Sequence, residues 1–142
     1  LDAERAATSA AVRATRGKVV THRGELVTTF FFSTSGGRTA SAEEVWGSAA
    51  PYLVSRRDPF DRVSPYHRWP EPVRVSGREL GEALDLDAPV AGMAVLERSR
   101  SPRVARVRVV AADGTAKTVT GAEVQAAAGL RSTWFSVRRL RA

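Results

Sequence analysis

Five of the chain's seven prolines fall within 22 residues: Pro51, Pro59, Pro65, Pro70 and Pro72. Each removes a backbone donor and fixes φ, so no long helix can cross this stretch. A helical bundle running through the middle of the chain is therefore excluded. The same stretch holds Tyr52, Phe60, Tyr66 and Trp69. Aromatics at that density mark an ordered loop packed by its own side chains, not a tether.

On either side the sequence reads as short elements. Leu1 to Arg16 is Ala-rich and helical in character, with Gly17 as its stop. Lys18 to Thr21 and Glu25 to Phe32 are β-rich runs around Arg23-Gly24, the pattern of a hairpin. Ser41-Ala-Glu-Glu44 has the spacing of a capping box and leads into Val45-Trp46-Gly47. Beyond the prolines, Val73 to Val75 reads as a short strand. Ser76 to Glu79 is a second capping box, opening a helix to about Leu84. Met93 to Glu97, Val104 to Val110 and Thr118 to Thr120 form a three-strand meander, turning at Asp113-Gly114. Thr120 to Glu123 caps a further helix that Gly129 ends, and Thr133 to Val137 reads as a last strand before a basic tail.

The fold class expected is α+β, mainly antiparallel, with about three short helices. A first lobe with the Gly-Gly loop is expected over residues 1–70 and a second over 71–142, the two forming one compact unit. Lys117-Thr-Val-Thr-Gly-Ala-Glu123 repeats the pattern of Val73-Arg-Val-Ser-Gly-Arg-Glu79 at a distance of 44 residues. The plain reading is one strand–cap–helix solution used twice.

Composition narrows the chemistry. Without cysteine there are no disulfides, thiol nucleophiles or zinc ribbons. With only His22 and His67, a histidine-rich metal site is not expected. No apolar run approaches the roughly 20 residues that span a bilayer. The net charge of +7 favours an anionic partner: nucleic acid, a wall polymer or a membrane surface. Arg supplies 20 of the 22 basic residues, a bias that coding composition alone can produce. Residue 1 is Leu and the chain opens inside an apparent helix, so a fragment of a longer protein is expected.

The most unusual stretch is Ser33-Thr34-Ser35-Gly36-Gly37-Arg38-Thr39. Adjacent glycines allow positive φ or close approach to a ligand. The hydroxyls and Arg38 suit sugar hydroxyls or an anion. The spacing is neither that of a phosphate-binding P-loop nor that of a nucleophile elbow. A polar bend after a strand accounts for it equally. Trp46, Tyr52 and Trp69 suit stacking on sugar rings or bases, or packing of the loop. His67 suits acid–base work, a ligand hydrogen bond or a local one. Asp58 and Asp61 suit turn bonds or glycosidic chemistry, with no second carboxylate paired by spacing. Glu43-Glu44 complements a helix dipole. Arg103, Arg106 and Arg108 read as one solvated basic strand face.

The order of these segments resembles the SpoIID/LytB family of sporulation and amidase enhancer proteins. The resemblance runs through Thr8, Ala11, Val12, Thr15, Gly17, Val19 and Val20, then Phe30 to Thr39, then Glu44-Val-Trp-Gly47. It continues through Pro51-Tyr-Leu53 and Asp58-Pro-Phe-Asp61 to Gly121 and Gly129-Leu-Arg-Ser-Thr-Trp-Phe135. It implies an extracytoplasmic cell-wall protein, held at the wall or membrane through a preceding segment. Its implied partners are peptidoglycan glycan strands and a wall amidase or other sporulation protein, with no nucleic acid. The sporulation member is a lytic transglycosylase that cleaves between N-acetylmuramic acid and N-acetylglucosamine. One Glu protonates the leaving oxygen and then activates the muramic hydroxyl.

That Glu belongs upstream of this chain, and neither Glu4 nor Glu43 stands in its place, so no catalytic residue is assigned. Some relatives bind a metal through His and Cys around the Gly-Gly loop. Phe32 and Ser35 stand there in this chain, so no metal or other cofactor is expected. The resemblance implies a glycan cleft lined by Ser33 to Thr39, with Tyr52, Asp58, His67 and Trp69 near it. The alternatives are a non-catalytic amidase enhancer or wall-binding module, and a basic nucleic-acid-binding domain. Against the last, the basic strand from Arg103 to Arg108 carries no aromatics.

Overall fold

The computed structural model describes residues 5–69 and 71–140. The chain divides into two compact units, Leu1–Phe32 and Ser33–Ala142. Among the described residues no helix is long and apolar enough to cross a membrane.

In the first unit, helix α1 spans Ala6–Ala14. Residues 1–4 of the expected helix lie outside the described residues. Thr15 closes its end by donating from Oγ1 to the Ala11 carbonyl at 2.9 Å, and Gly17 takes a φ of 74°. Strands β1 (Thr21–His22) and β2 (Glu25–Leu26) pair antiparallel across Arg23-Gly24. Both turn residues have positive φ, 53° and 87°, the geometry that matches strand twist in a two-residue hairpin. The ladder is shorter than the sequence suggests. The run from Phe30 to Phe32 is not a strand, and Phe31 is 99% exposed. A two-stranded ribbon has no further strand to extend its pairing.

The second unit carries the core. Strands β3 (Val90–Arg98), β4 (Val104–Ala111) and β5 (Ala116–Thr120) form an antiparallel sheet with β4 at its centre. Val107 stands between Val95 and Val119 in register, and both it and Val109 are fully buried. They pack with Leu84, Val104, Val119 and Val124, flanked by Met93 and Phe135. Arg106 and Arg108 alternate to the exposed face, as the period of two requires. Register irregularities at Val95, Glu97 and Arg98 break that phase and let Val104 face inward as well.

Three helices complete the unit: α2 (Ala42–Trp46), α3 (Gly77–Ala83) and α4 (Gly121–Ala127). Each starts with a complete capping box, Ser41 with Glu44, Ser76 with Glu79 and Thr120 with Glu123. The 44-residue echo is carried into three dimensions. A Cβ on Gly77 would stand 2.2 Å from the Val90 carbonyl oxygen, and one on Gly121 would stand 1.9 Å from that of Val104. Each helix thus seats its first turn on the opening carbonyl of a strand. Their ends match too, with Asp85 and Gly129 at φ 57° and 61°, followed by backbone bonds from Leu86 to Gly81 and Leu130 to Gln125. Lys117 Nζ donates to the free carbonyl of Leu84 at the end of α3.

Two expected strands are absent. Val73 to Val75 follows Pro72, which has no N–H to give a ladder, and stays irregular. Thr133 to Val137 meets the sheet edge-on. Thr133 gives its carbonyl to Val104 N, and Phe135 gives its own to the Arg98 guanidinium instead of to a strand amide.

The glycine contacts set a test. Gly121→Ala is expected to destabilise the protein by about 1–3 kcal/mol through overpacking against backbone. Gly92→Ala, with open space around it and ordinary φ, serves as the control. Urea unfolding of the two variants checks the difference.

Candidate functional site

The loop from Ser33 to Thr39 is fixed largely through its backbone. Asp61 lies in a 3₁₀ turn, Asp61–Val63, and its side chain is 3% exposed. Its Oδ1 accepts the Ser35 amide at 2.6 Å, and its Oδ2 accepts His67 Nδ1 at 2.5 Å. Burial pushes this carboxyl up, yet the bonds from His67 and Ser35 outweigh burial and hold it below the ordinary carboxylate range. Ser35 is itself buried. It donates from Oγ to Asp58 Oδ2 at 3.0 Å and accepts the Gly37 amide at 3.0 Å. Asp58 N in turn donates to the Gly37 carbonyl.

The rest of the loop is engaged on its flanks. Thr34 Oγ1 and Ser64 Oγ share a hydrogen bond of 2.6 Å. Arg38 forms an isolated bridge with Arg57 and donates from Nε to Ser55 Oγ. Thr39 exchanges backbone and side-chain bonds with Arg56.

Arg103 grips the same loop from the sheet side. It precedes β4 and turns inward, in contrast to the solvated position expected beside Arg106 and Arg108. Its guanidinium donates to the carbonyls of Ser35 at 3.0 Å, Arg38 at 3.1 Å and Ser101 at 3.4 Å. It also lies over the Trp134 ring at 5.3 Å. Burial lowers the affinity of Arg103 for its proton, and the charge of Glu44 opposes that. Glu44 does more than complement a helix dipole. Its Oε2 accepts the Ser41 amide and its Oε1 accepts the Ser101 amide, both at 2.9 Å. Burial raises the Glu44 carboxyl, but its bonds to Ser41, Ser101 and Ser99 leave it lowered on balance.

The two glycines of the loop lie against rings. Gly36, at φ 76°, lies against Trp134, whose Cε3 would be 3.0 Å from an added Cβ. Gly37, at φ 99°, faces His67, whose Cε1 would be 3.6 Å from one. Trp69 lies close in sequence to His67. It stacks with Tyr66 at 5.5 Å, and Arg131 sits over its ring at 4.1 Å.

Of the residues read from sequence, Thr34, Ser35, Gly37, Arg38, Thr39, Asp58 and His67 are joined directly or through Asp61, Ser64 and Ser55. Ser33 is exposed at the loop's start. Tyr52 stands in the turn after α2, whose Leu53 carbonyl accepts the Ala42 amide. Ser64, Arg103, Trp134 and Arg131 are the additions the structure makes, and Asp61, read for turn bonds or glycosidic chemistry, is the acid that anchors the loop. Arg103 had a sequence signal, being out of phase with Arg106 and Arg108. Ser64 and Arg131 had none.

Among the described residues no three His, Cys, Asp or Glu side chains are grouped to hold a metal ion. A separate groove of about 420 Å³ lies between α3, β3 and α4, with Val73, Leu80, Met93, Val124 and Phe135 in its walls. Its lining has no carboxylate or imidazole.

A buried carboxylate, an imidazole and a glycine pair beside indole are gathered in one polar loop on an α+β domain. The comparisons place that domain. No protein-family model matches the chain. It is 30% identical over 129 residues to the stage II sporulation protein D of Bacillus subtilis (strain 168), covering 91% of this chain and 36% of that protein. It is 33% identical over 102 residues to the amidase enhancer of the same organism, covering 71% of this chain and 14% of that protein. A 55-residue segment is 47% identical to the stage II sporulation protein D of Bacillus amyloliquefaciens, covering 39% of this chain and 16% of that protein. The chain belongs to the SpoIID/LytB family, and it spans little more than a third of the length of these relatives at most.

Asp61→Asn is expected to cost about 2 kcal/mol at neutral pH, the scale of hydrogen bonds to a charged group. The wild-type contribution is present above the ordinary Asp value near ~4 and is lost as pH falls through the lowered folded value. The variant therefore shows a smaller drop in stability between neutral and acid pH. Urea unfolding at the two pH values measures it. Arg103→Lys replaces a fork by a point charge that cannot span three carbonyls. Hydrogen exchange at the Gly37 amide is expected to rise by about tenfold or more.

Proposed function

We propose that the chain is a wall-glycan-binding portion of a SpoIID-like cell-wall protein involved in sporulation or wall remodelling. The observation that carries this reading is the loop itself. Asp61 and Arg103 fix its backbone, and the rings of Trp134 and His67 stand against its half-buried glycines. A partly exposed indole suits a flat sugar ring, and imidazole offers a hydroxyl partner. The two relatives named for sporulation and for amidase enhancement support a role at the wall.

In the enzymatic version, a lytic transglycosylase, the acid–base Glu is expected outside these 142 residues. The best-held carboxylates here are already engaged: Asp61 with Ser35 and His67, Glu44 with Ser41 and Ser101. The setting proposed is extracytoplasmic. A second reading, favoured by the likeness to the amidase enhancer, is that the glycan-bound domain stimulates a wall amidase.

Co-sedimentation with peptide-stripped peptidoglycan across a salt series tests the proposal. Binding is expected to persist at high salt, with excess DNA unable to compete. Trp134→Ala is expected to weaken it by about tenfold, the scale of one lost ring contact. Binding that collapses with salt or transfers to DNA would establish counterion release as the driving force and reject the glycan reading.

A further inference from the structure

We infer that the groove beside β3 receives an extended, apolar segment of a partner protein with acidic ends, which adds a strand to the free edge of the sheet. This goes beyond the glycan reading and uses no residue of the glycine loop.

The groove's position follows from the residues that line it. Val90, Ala91, Gly92 and Met93 do so in succession, and no residue of β4 or β5 does. Successive side chains of a strand point to opposite faces, so a cavity touching four in a row runs along the strand's edge. β4 occupies the other edge of β3, so the groove opens on the edge that has no strand partner. The charges of β3, Glu97 and Arg98, stand at its far end. Residues 90–93 therefore carry none of the charge or proline that blunts an exposed edge.

The facing walls have the same character. Residues 73–75 and 135–140 line the groove in succession too. These are the segments that have strand-like composition yet join no ladder. Among the described residues, the peptide groups of 73–75 and 136–140 form no backbone hydrogen bond. An incoming strand brings donors and acceptors to peptide groups on both sides. An acyl chain would bring neither.

Side chains set the occupant's chemistry. Leu80, Val124 and Leu130 give the groove an apolar wall, and its volume of about 420 Å³ suits a few inserted side chains. Arg74, Arg138 and Arg139 also stand in the lining, with no acid among them. Among the described residues none of the three is in an ion pair. The acids of the adjoining α3 are engaged at home, Glu79 with Ser76 and Glu82 with Arg78. Free guanidinium groups beside apolar surface favour a segment bearing carboxylates and oppose a basic one. A second copy of this chain carries a net charge of +7, which opposes self-docking.

A panel of short fluorescent peptides, offered to the whole 142-residue chain, tests this. Each alternates valine with threonine. One set ends in aspartate and one in lysine, and a third repeats the aspartate set with every second amide N-methylated. The aspartate set is expected to bind, and the other two about tenfold more weakly or worse. Hydrogen exchange at residues 90–93 is expected to slow when the aspartate set is bound. The double variant Arg138→Glu, Arg139→Glu changes two exposed side chains and is expected to prefer the lysine set. A reversed preference cannot come from misfolding.

If no set binds, or N-methylation changes nothing, strand addition is rejected. If aspartate and lysine sets bind alike, or the double variant keeps the wild-type preference, the acidic partner is rejected. Dodecanoate binding the groove more tightly than any peptide would assign it to an acyl chain. Self-association that the aspartate set blocks would assign it to a second copy. Either result overturns the inference, while the glycan reading is judged separately by co-sedimentation.

Discussion

Asp61 keeps a negative charge where almost no water reaches it, and the order of the site depends on that. An isolated buried carboxylate would take up a proton. This one is held ionised by donors from two separated parts of the chain, the amide of Ser35 and the ring of His67. The requirement works in both directions. The charge needs the donors, and so it fixes where the glycine loop and the imidazole stand. Ser35 then passes the constraint to Asp58 and Gly37. A long proline-rich segment with little regular structure becomes well defined because Asp58 and Asp61 bond to the loop.

The helix starts were the most legible part of the sequence. Capping boxes at Ser41, Ser76 and Thr120 depend on neighbours three residues away, so they can be read without knowing the fold. The alternation of Arg106 and Arg108 with Val107 and Val109 was legible for the same reason. Strand limits were less so. Phe30 to Phe32 and Thr133 to Val137 have strand-like composition, but pairing requires a partner edge, and that is a property of the whole sheet. The loop from Ser33 to Thr39 stood out by its glycines. What it touches did not, because Asp61, Ser64 and Arg103 lie 26, 30 and 68 residues from their partners in it. Contacts that distant leave no local pattern.

The repeated strand–helix seat shows how a small sheet gains a second layer. Gly77 and Gly121 allow helix backbone to rest on strand backbone, with no side chain between them. Any residue with a Cβ would hold the two apart. The close seat leaves the larger side chains, Leu84, Val124 and Phe135, to fill the volume beside it over the centre of the sheet. The same device at two places gives the domain two anchored helices from one short sheet.

Arg103 and Asp61 both hold the loop by its peptide groups: two carbonyls for one, an amide for the other. Peptide groups are common to every residue type. The shape of the loop is therefore largely indifferent to which side chain stands at its exposed position, Ser33. Substitution there can proceed while the frame persists, which makes the loop a practical place for grafted diversity.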